Sequence, residues 1–355
     1  MKDFISEFGL TFKQTCLLFS LERQIVLDDI MNSRVNNKQE DASKKQQWLY
    51  LWEVHINNFL NHLENVSERT VDITKIDTKK LLEEIEMDAH LTALNSATSG
   101  IKAWRYLILL ECTLFTPYYS FDTLNIEKSN FVDKIKSIFS GLSLDENCQK
   151  ISLGKIAELL TIKSSYIEIF KKRYQESIKS LSGFWKKVLL AGGVGMIIAV
   201  TVVLLFINPI AAAFAAPGLY GAAAFSAGMA ALGGGAIAAG GFGIAGGIAV
   251  LVGGALVLGG SAGAGITALA SSTPQIVLTE LAKIEVVLKE IIIGIQRDTK
   301  MLQEIILQLT KNLNEMQSEL VKLKFENEKN KEKIKNLEES IEYMKKAMNE
   351  FTKMK

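Results

Sequence analysis

The chain has 355 residues, 22% of them charged and 48% hydrophobic, with a formal net charge of +1. That length allows two or three domains, and the near-neutral balance excludes a bulk electrostatic partner such as nucleic acid. Three widely spaced cysteines, Cys16, Cys112 and Cys148, exclude a disulfide framework and fit a reducing compartment. The start, MKDFISEFGLTFKQ, carries Asp3 and Glu7 and lacks the apolar core of a signal peptide. A soluble cytoplasmic form is therefore expected before any membrane contact, with export only by another route.

Residues 3–31 predict an amphipathic helix, with Phe4, Phe8, Phe12, Cys16 and Phe19 recurring every three or four positions. The polar stretch 32–46 has no apolar face and reads as a loop or a solvated helix end. Residues 48–65 return to helical spacing through Trp48, Leu51, Trp52, His55, Phe59 and His62. Further helices are expected over 77–94 and 101–115, the latter ended by Thr116-Pro117. Three more follow over 127–142, 153–160 and 163–187, with a turn over 143–152. No convincing strand alternation precedes residue 187, so residues 1–186 read as an all-α bundle.

The next stretch sets the character of the whole chain. From Val188 to Thr279, 92 residues carry no charged side chain, and 20 of the 26 glycines lie here. A bilayer crossing takes about 20 apolar residues, so the run holds enough for two or more. Val188 to Ile207 is of span length, and breakers follow at Pro209 and Pro217. Glycine doublets then end at Gly235, Gly241, Gly247, Gly254 and Gly260, and Gly253 and Gly259 open the last two. On a helix a step of six turns about 240°, so these glycines surround the helix and thin it for close packing with neighbours. A step of six is also even, which leaves a β-hairpin as the alternative. Helices are favoured because an isolated strand pair exposes unsatisfied edges to lipid. Trp185, Lys186 and Lys187 at the start of the run have the make-up of an interfacial anchor.

Residues 274–355 read as one long amphipathic helix. Its apolar seam includes Leu302, Ile306, Leu309, Leu313, Leu320, Leu323, Ile334 and Leu337. A 3-4 repeat held this long is a coiled-coil pattern, and a straight helix of that length would reach about 100 Å. Asn327 and Asn330 interrupt the seam and mark either a register-setting site or a hairpin turn. Self-association and packing within the chain are both open.

Catalytic chemistry has no foothold here. HExxH, CxxC and GxSxG are absent, and no glycine of the run is followed by Lys-Ser or Lys-Thr. His55 and His62 lie too far apart along their helix to share one zinc ion. No enzyme, cofactor or metal site is expected.

The layout of helical body, apolar mid-chain run (188–279) and long amphipathic helix (281–351) resembles the cytolysin A-type α-helical pore-forming toxins. The Gly/Ala stretch from Ala211 to Gly247 also resembles the membrane segments of interferon-inducible small membrane proteins. The first resemblance implies an all-α fold in three parts: a bundle (1–186), a glycine-rich membrane-inserting hairpin (187–273) and a coiled-coil helix (274–355). It further implies a lipid membrane as partner, with copies of the chain or sister toxin subunits in the assembly. The expected function is permeabilisation of a bilayer, as a toxin or a self-directed defence protein. The second resemblance implies a constitutive membrane anchor whose coiled coil tethers partners.

Overall fold

The structure is a computed structural model. It describes residues 10–67, 80–96, 103–118, 139, 141–182, 274–325 and 331–354. Among them the protein is all-α, with no strand. The run expected to insert into membranes lies outside the described residues up to residue 273, as does the anchor Trp185, Lys186 and Lys187. Among the described residues no helix is long and apolar enough to cross a membrane. The chain forms two compact units, one holding Phe12–Ile167 and the other holding Glu168 onward.

The N-terminal unit is built around α1 (Phe12–Val35), which contacts α2 (Gln39–Ser67), α3 (Glu84–Ser96), α4 (Ala103–Leu114) and α5 (Glu146–Leu159). Every residue from Gln14 to Glu22 is buried. Over that stretch the helix, expected from the phenylalanine spacing to be one-sided, is covered all round by its helical neighbours, whereas Met31 and Val35 near its end are exposed. Trp48 and Trp52 of α2 stack at 6.2 Å, and Trp52 also meets Phe19 and Phe115 at 6.2 Å. Such ring pairs add about 0.5–1.5 kcal/mol each beyond their buried area.

The stretch 32–46, read as a loop or helix end, is helical except at Asn36–Lys38. Asn37 takes the left-handed conformation at φ 59°, and Lys38 N–H donates to the Ser33 carbonyl at 2.9 Å. That is a Schellman stop, for which asparagine is a usual substitute for glycine. A similar stop ends α5 at Thr161 (φ 56°), where Ile162 N–H reaches the Ala157 carbonyl at 2.8 Å. A β-branched residue is strained there. Arg105 of α4 holds the turn by donating to Thr161 Oγ1 and to the Leu160 carbonyl, and a second guanidinium nitrogen reaches Asn95 of α3. The start of α5 lies seven residues earlier than its spacing predicts, because Asp145 caps it by accepting from Cys148 N–H at 3.0 Å.

One buried network ties these helices together. Asp29 of α1 is fully buried and accepts from Lys45 Nζ at 2.6 Å, Tyr118 Oη at 2.5 Å and Asp145 N–H at 2.9 Å. Lys45 also donates to Ser33 Oγ at 3.1 Å and sits 5.2 Å from the centre of the Tyr118 ring. Tyr118 is held at φ 69° by these contacts and by the Trp48 ring at 5.3 Å. All three cysteines are free and buried.

Burial, with Asp29 and Asp28 nearby, pushes the Cys148 thiol up from 9.0 to about 11. Burial and then Asp29 push the Tyr118 hydroxyl up as well. The folded unit therefore holds these protons more tightly than the unfolded chain. Their stabilisation is complete below the unfolded values and is lost as pH rises through the folded ones. The denaturation midpoint should fall between pH 9 and pH 11, and Cys148→Ala should flatten part of that slope. A midpoint independent of pH over this window would refute the assignment.

In the C-terminal unit, α6 (Ser165–Ser182) contributes its residues from Glu168 onward. It is joined by α7 (Pro274–Val286), a π-helix (Val287–Gln296), α8 (Thr299–Phe325) and α9 (Lys331–Thr352). The expected continuous rod over 274–355 is therefore broken. Arg297 turns left-handed at φ 55°, and Asp298 starts α8 by accepting from Met301 N–H at 2.9 Å. α9 packs on both α7 and α8, and Lys324 bridges Glu338 at 2.7 Å. A straight helix would set those two residues about 21 Å apart, so the chain folds back between α8 and α9. Asn327 and Asn330 lie outside the described residues. The apolar seam serves packing inside the chain: Leu302, Ile306, Leu309 and Leu337 are buried, and Leu313, Leu320, Leu323 and Ile334 are half-buried.

Candidate functional site: the stem of the uncharged run

The uncharged run ends inside a packed helix. Its last six residues, 274–279, open α7, and all twelve residues from Val277 in α7 to Leu288 in the π-helix are buried. The first charges after the run are buried too. Lys283 Nζ lies 3.3 Å from Glu280 Oε1, and both side chains are fully enclosed. Lys283 and Lys289 have the look of surface cations flanking a membrane segment. In the structure Lys283 is interior, and Lys289 is a third exposed and paired with Glu285 on its own helix.

The helices on either side of the run, α6 before it and α7 after it, are clasped to each other. Ser177 Oγ donates to Glu285 Oε2 at 2.5 Å, and Arg173 Nε donates to Glu290 Oε1 at 2.7 Å. The residue numbers of these two pairs move in opposite directions, so α6 runs antiparallel to α7 and the π-helix. Ser182 and Pro274 consequently lie at one end of a two-helix stem. From α9, Lys346 Nζ donates to the Leu181 carbonyl at 3.2 Å, satisfying a C-terminal carbonyl of α6 beside that end. The 91 residues 183–273 start and finish at that same end.

The clasp depends on the π-helix. Glu285 and Glu290 are five residues apart, about 140° out of phase on an α-helix. The wider π turn, bonded i→i+5, brings the second carboxylate back toward the side of the first. Arg173 and Ser177, four apart on α6, then meet both. At Gly294 a Cβ would lie 3.1 Å from the Lys289 carbonyl oxygen, so a side chain there requires that carbonyl to shift. Hydrogen bonding to Glu290 is the main cause raising the Arg173 pKa above its ordinary value, so the guanidinium stays charged.

Sequence reading missed Arg173, Ser177, Glu285 and Glu290 as a group. Arg173 stands among lysines of a basic helix, and Glu285 is one of the few polar positions in the apolar seam. That polar seam position was the one available signal. Among the described residues no group of three metal-ligating side chains gathers. His90 donates to the Lys13 carbonyl at 2.8 Å. No protein-family model, curated protein or solved structure matches the chain.

Proposed function

We propose that the protein is an α-helical membrane-inserting effector that oligomerises and permeabilises a lipid bilayer through residues 187–273. The observation that carries this reading is the combination of a 92-residue uncharged run with a stem that joins both of its ends. Water does not normally select so long a stretch without one Lys, Arg, Asp or Glu, whereas hydrocarbon penalises each of them by about 2.5–3.5 kcal/mol at its centre. A run that leaves and returns at one end of a stem crosses a bilayer an even number of times, with both flanks on one side. The exposed cations of α6, among them Lys172 and Lys179, suit an anionic headgroup layer on that side.

Dye release from liposomes tests the proposal. The full-length protein, purified without detergent, should release an encapsulated dye from phosphatidylcholine–phosphatidylglycerol vesicles. Gly241→Leu, Gly247→Leu and Gly253→Leu together should abolish release, because three bulky side chains prevent close helix association. Absence of leakage under every lipid and trigger would end the proposal. Recovery of the protein only in detergent would favour the constitutive anchor, since a permanent span does not stay in water.

A further inference from the structure

We infer that the clasp between α6 and the α7–π rod is an autoinhibitory latch, which must open before the run it brackets engages a bilayer. This rests on the membrane-inserting reading above. Three observations carry it.

The clasp joins the two helices through which the uncharged run is attached to the rest of the protein. Its outer pair is also weakly held: Arg173 is 46% exposed and Glu290 17%. Solvent screens such a pair, so it closes a resting state without sealing it. Arg173 in addition contacts Glu176 on its own helix at 3.2 Å, a ready alternative partner when Glu290 leaves. Finally, the π-helix gives the latch two geometries. In the π form Glu290 faces α6. Relaxation to the α form rotates it away and breaks the outer of the two pairs that join α6 to the α7–π rod. π segments of this kind are frequent at functional sites.

The inner pair adds direction. Ser177 is buried, and Glu285 is held between it and Lys289. Opening from the exposed Arg173–Glu290 end therefore precedes loss of the buried Ser177–Glu285 bond. That order runs from the end of the stem far from the uncharged run toward the end where the run begins. Screening of the outer pair by salt, or competition from an anionic surface for Arg173, would start it.

The test is a charge swap read two ways in the full-length protein. Arg173→Glu sets two carboxylates against each other. It should speed hydrogen exchange of the amides in 168–182 and 287–296 by roughly fivefold, and speed dye release from phosphatidylcholine–phosphatidylglycerol vesicles to a similar degree. Arg173→Glu combined with Glu290→Arg restores an opposite-charge pair and should return both readings toward the parent. Gly294→Ala, which crowds the Lys289 carbonyl, should mimic Arg173→Glu without touching either charge. Unchanged exchange in Arg173→Glu overturns the latch, and so does failure of the swap to restore slow exchange. Exchange that responds as expected, with no dye release from any variant or the parent, overturns the membrane reading and the autoinhibitory role. The clasp then stands as a structural pairing.

Discussion

Asp29→Ala should cost the N-terminal unit about 3–5 kcal/mol, the range for removing one partner of a buried ion pair. Asp29 is fully buried and is the shared acceptor for Lys45, Tyr118 and the Asp145 amide. Its removal strands a Lys45 ammonium that is itself nearly enclosed, and frees the amide that positions the cap of α5. Loss of the charge, more than loss of the hydrogen bonds, sets the size of the effect. Asp29→Ala with Lys45→Met should therefore recover much of it, because an apolar pair of similar volume carries no desolvation cost. Urea denaturation followed by tryptophan fluorescence checks both variants, since Trp48 and Trp52 lie in this core. A loss below about 1 kcal/mol for Asp29→Ala, the level of an ordinary hydrogen bond, would show that the network is only decorative.

The second large effect concerns the buried pair at the start of the C-terminal unit. Glu280→Ala should destabilise this unit by about 3–5 kcal/mol by removing one partner of a fully enclosed ion pair. Glu280→Leu with Lys283→Met should be neutral or stabilising by about 1–4 kcal/mol, since two desolvated charges are replaced by packing atoms. The pair thus keeps α7 less settled than its surroundings would allow an apolar helix to be. In the proposed mechanism that matters. A more stable α7 holds the resting state longer, so the double variant should also slow dye release. Thermal unfolding and vesicle leakage, measured on the same preparations, check the two halves. A double variant as damaged as the single would mean that the pair fixes the helix position by geometry, not merely by charge balance.

Much of this architecture was legible before any coordinates. Phe19, Trp48 and Trp52 recur at helical spacing, and all three are core. The seam of Leu302, Ile306, Leu309 and Leu337 was visible as a stripe for the same reason: burial selects apolar side chains at the period of the helix. What the stripe packs against was not legible. A 3-4 repeat suits a second chain, a distant bundle or its own continuation folded back. Only the bridge from Lys324 to Glu338 and the packing of α9 on α7 and α8 decide for the last.

The misjudged boundaries have a common cause. The stretch 32–46 reads as a loop or a solvated helix end because it has no apolar face, yet Lys45 is buried against Asp29 sixteen residues earlier. Gly294 sits among isoleucines and looks like a weak point in a long helix. The fold brings the Lys289 carbonyl oxygen within 3.1 Å of where a Cβ would stand. The candidate site was half legible in the same sense. The uncharged run announced itself. Its stem did not, because Arg173 and Glu290 lie 117 residues apart and each looks like an ordinary solvated charge.

By itself, the sequence determined the helical fold of the described residues, the positions of its apolar stripes and one long run without charge. These follow from local periodicity and from the cost of placing charge in oil, and both are written residue by residue. Tertiary structure alone decided which polar groups are interior, where the long helix breaks, and that α6 and α7 lie antiparallel. Those outcomes depend on pairs of residues far apart in the chain, and the energy of such a pair exists only once the fold has brought its members together.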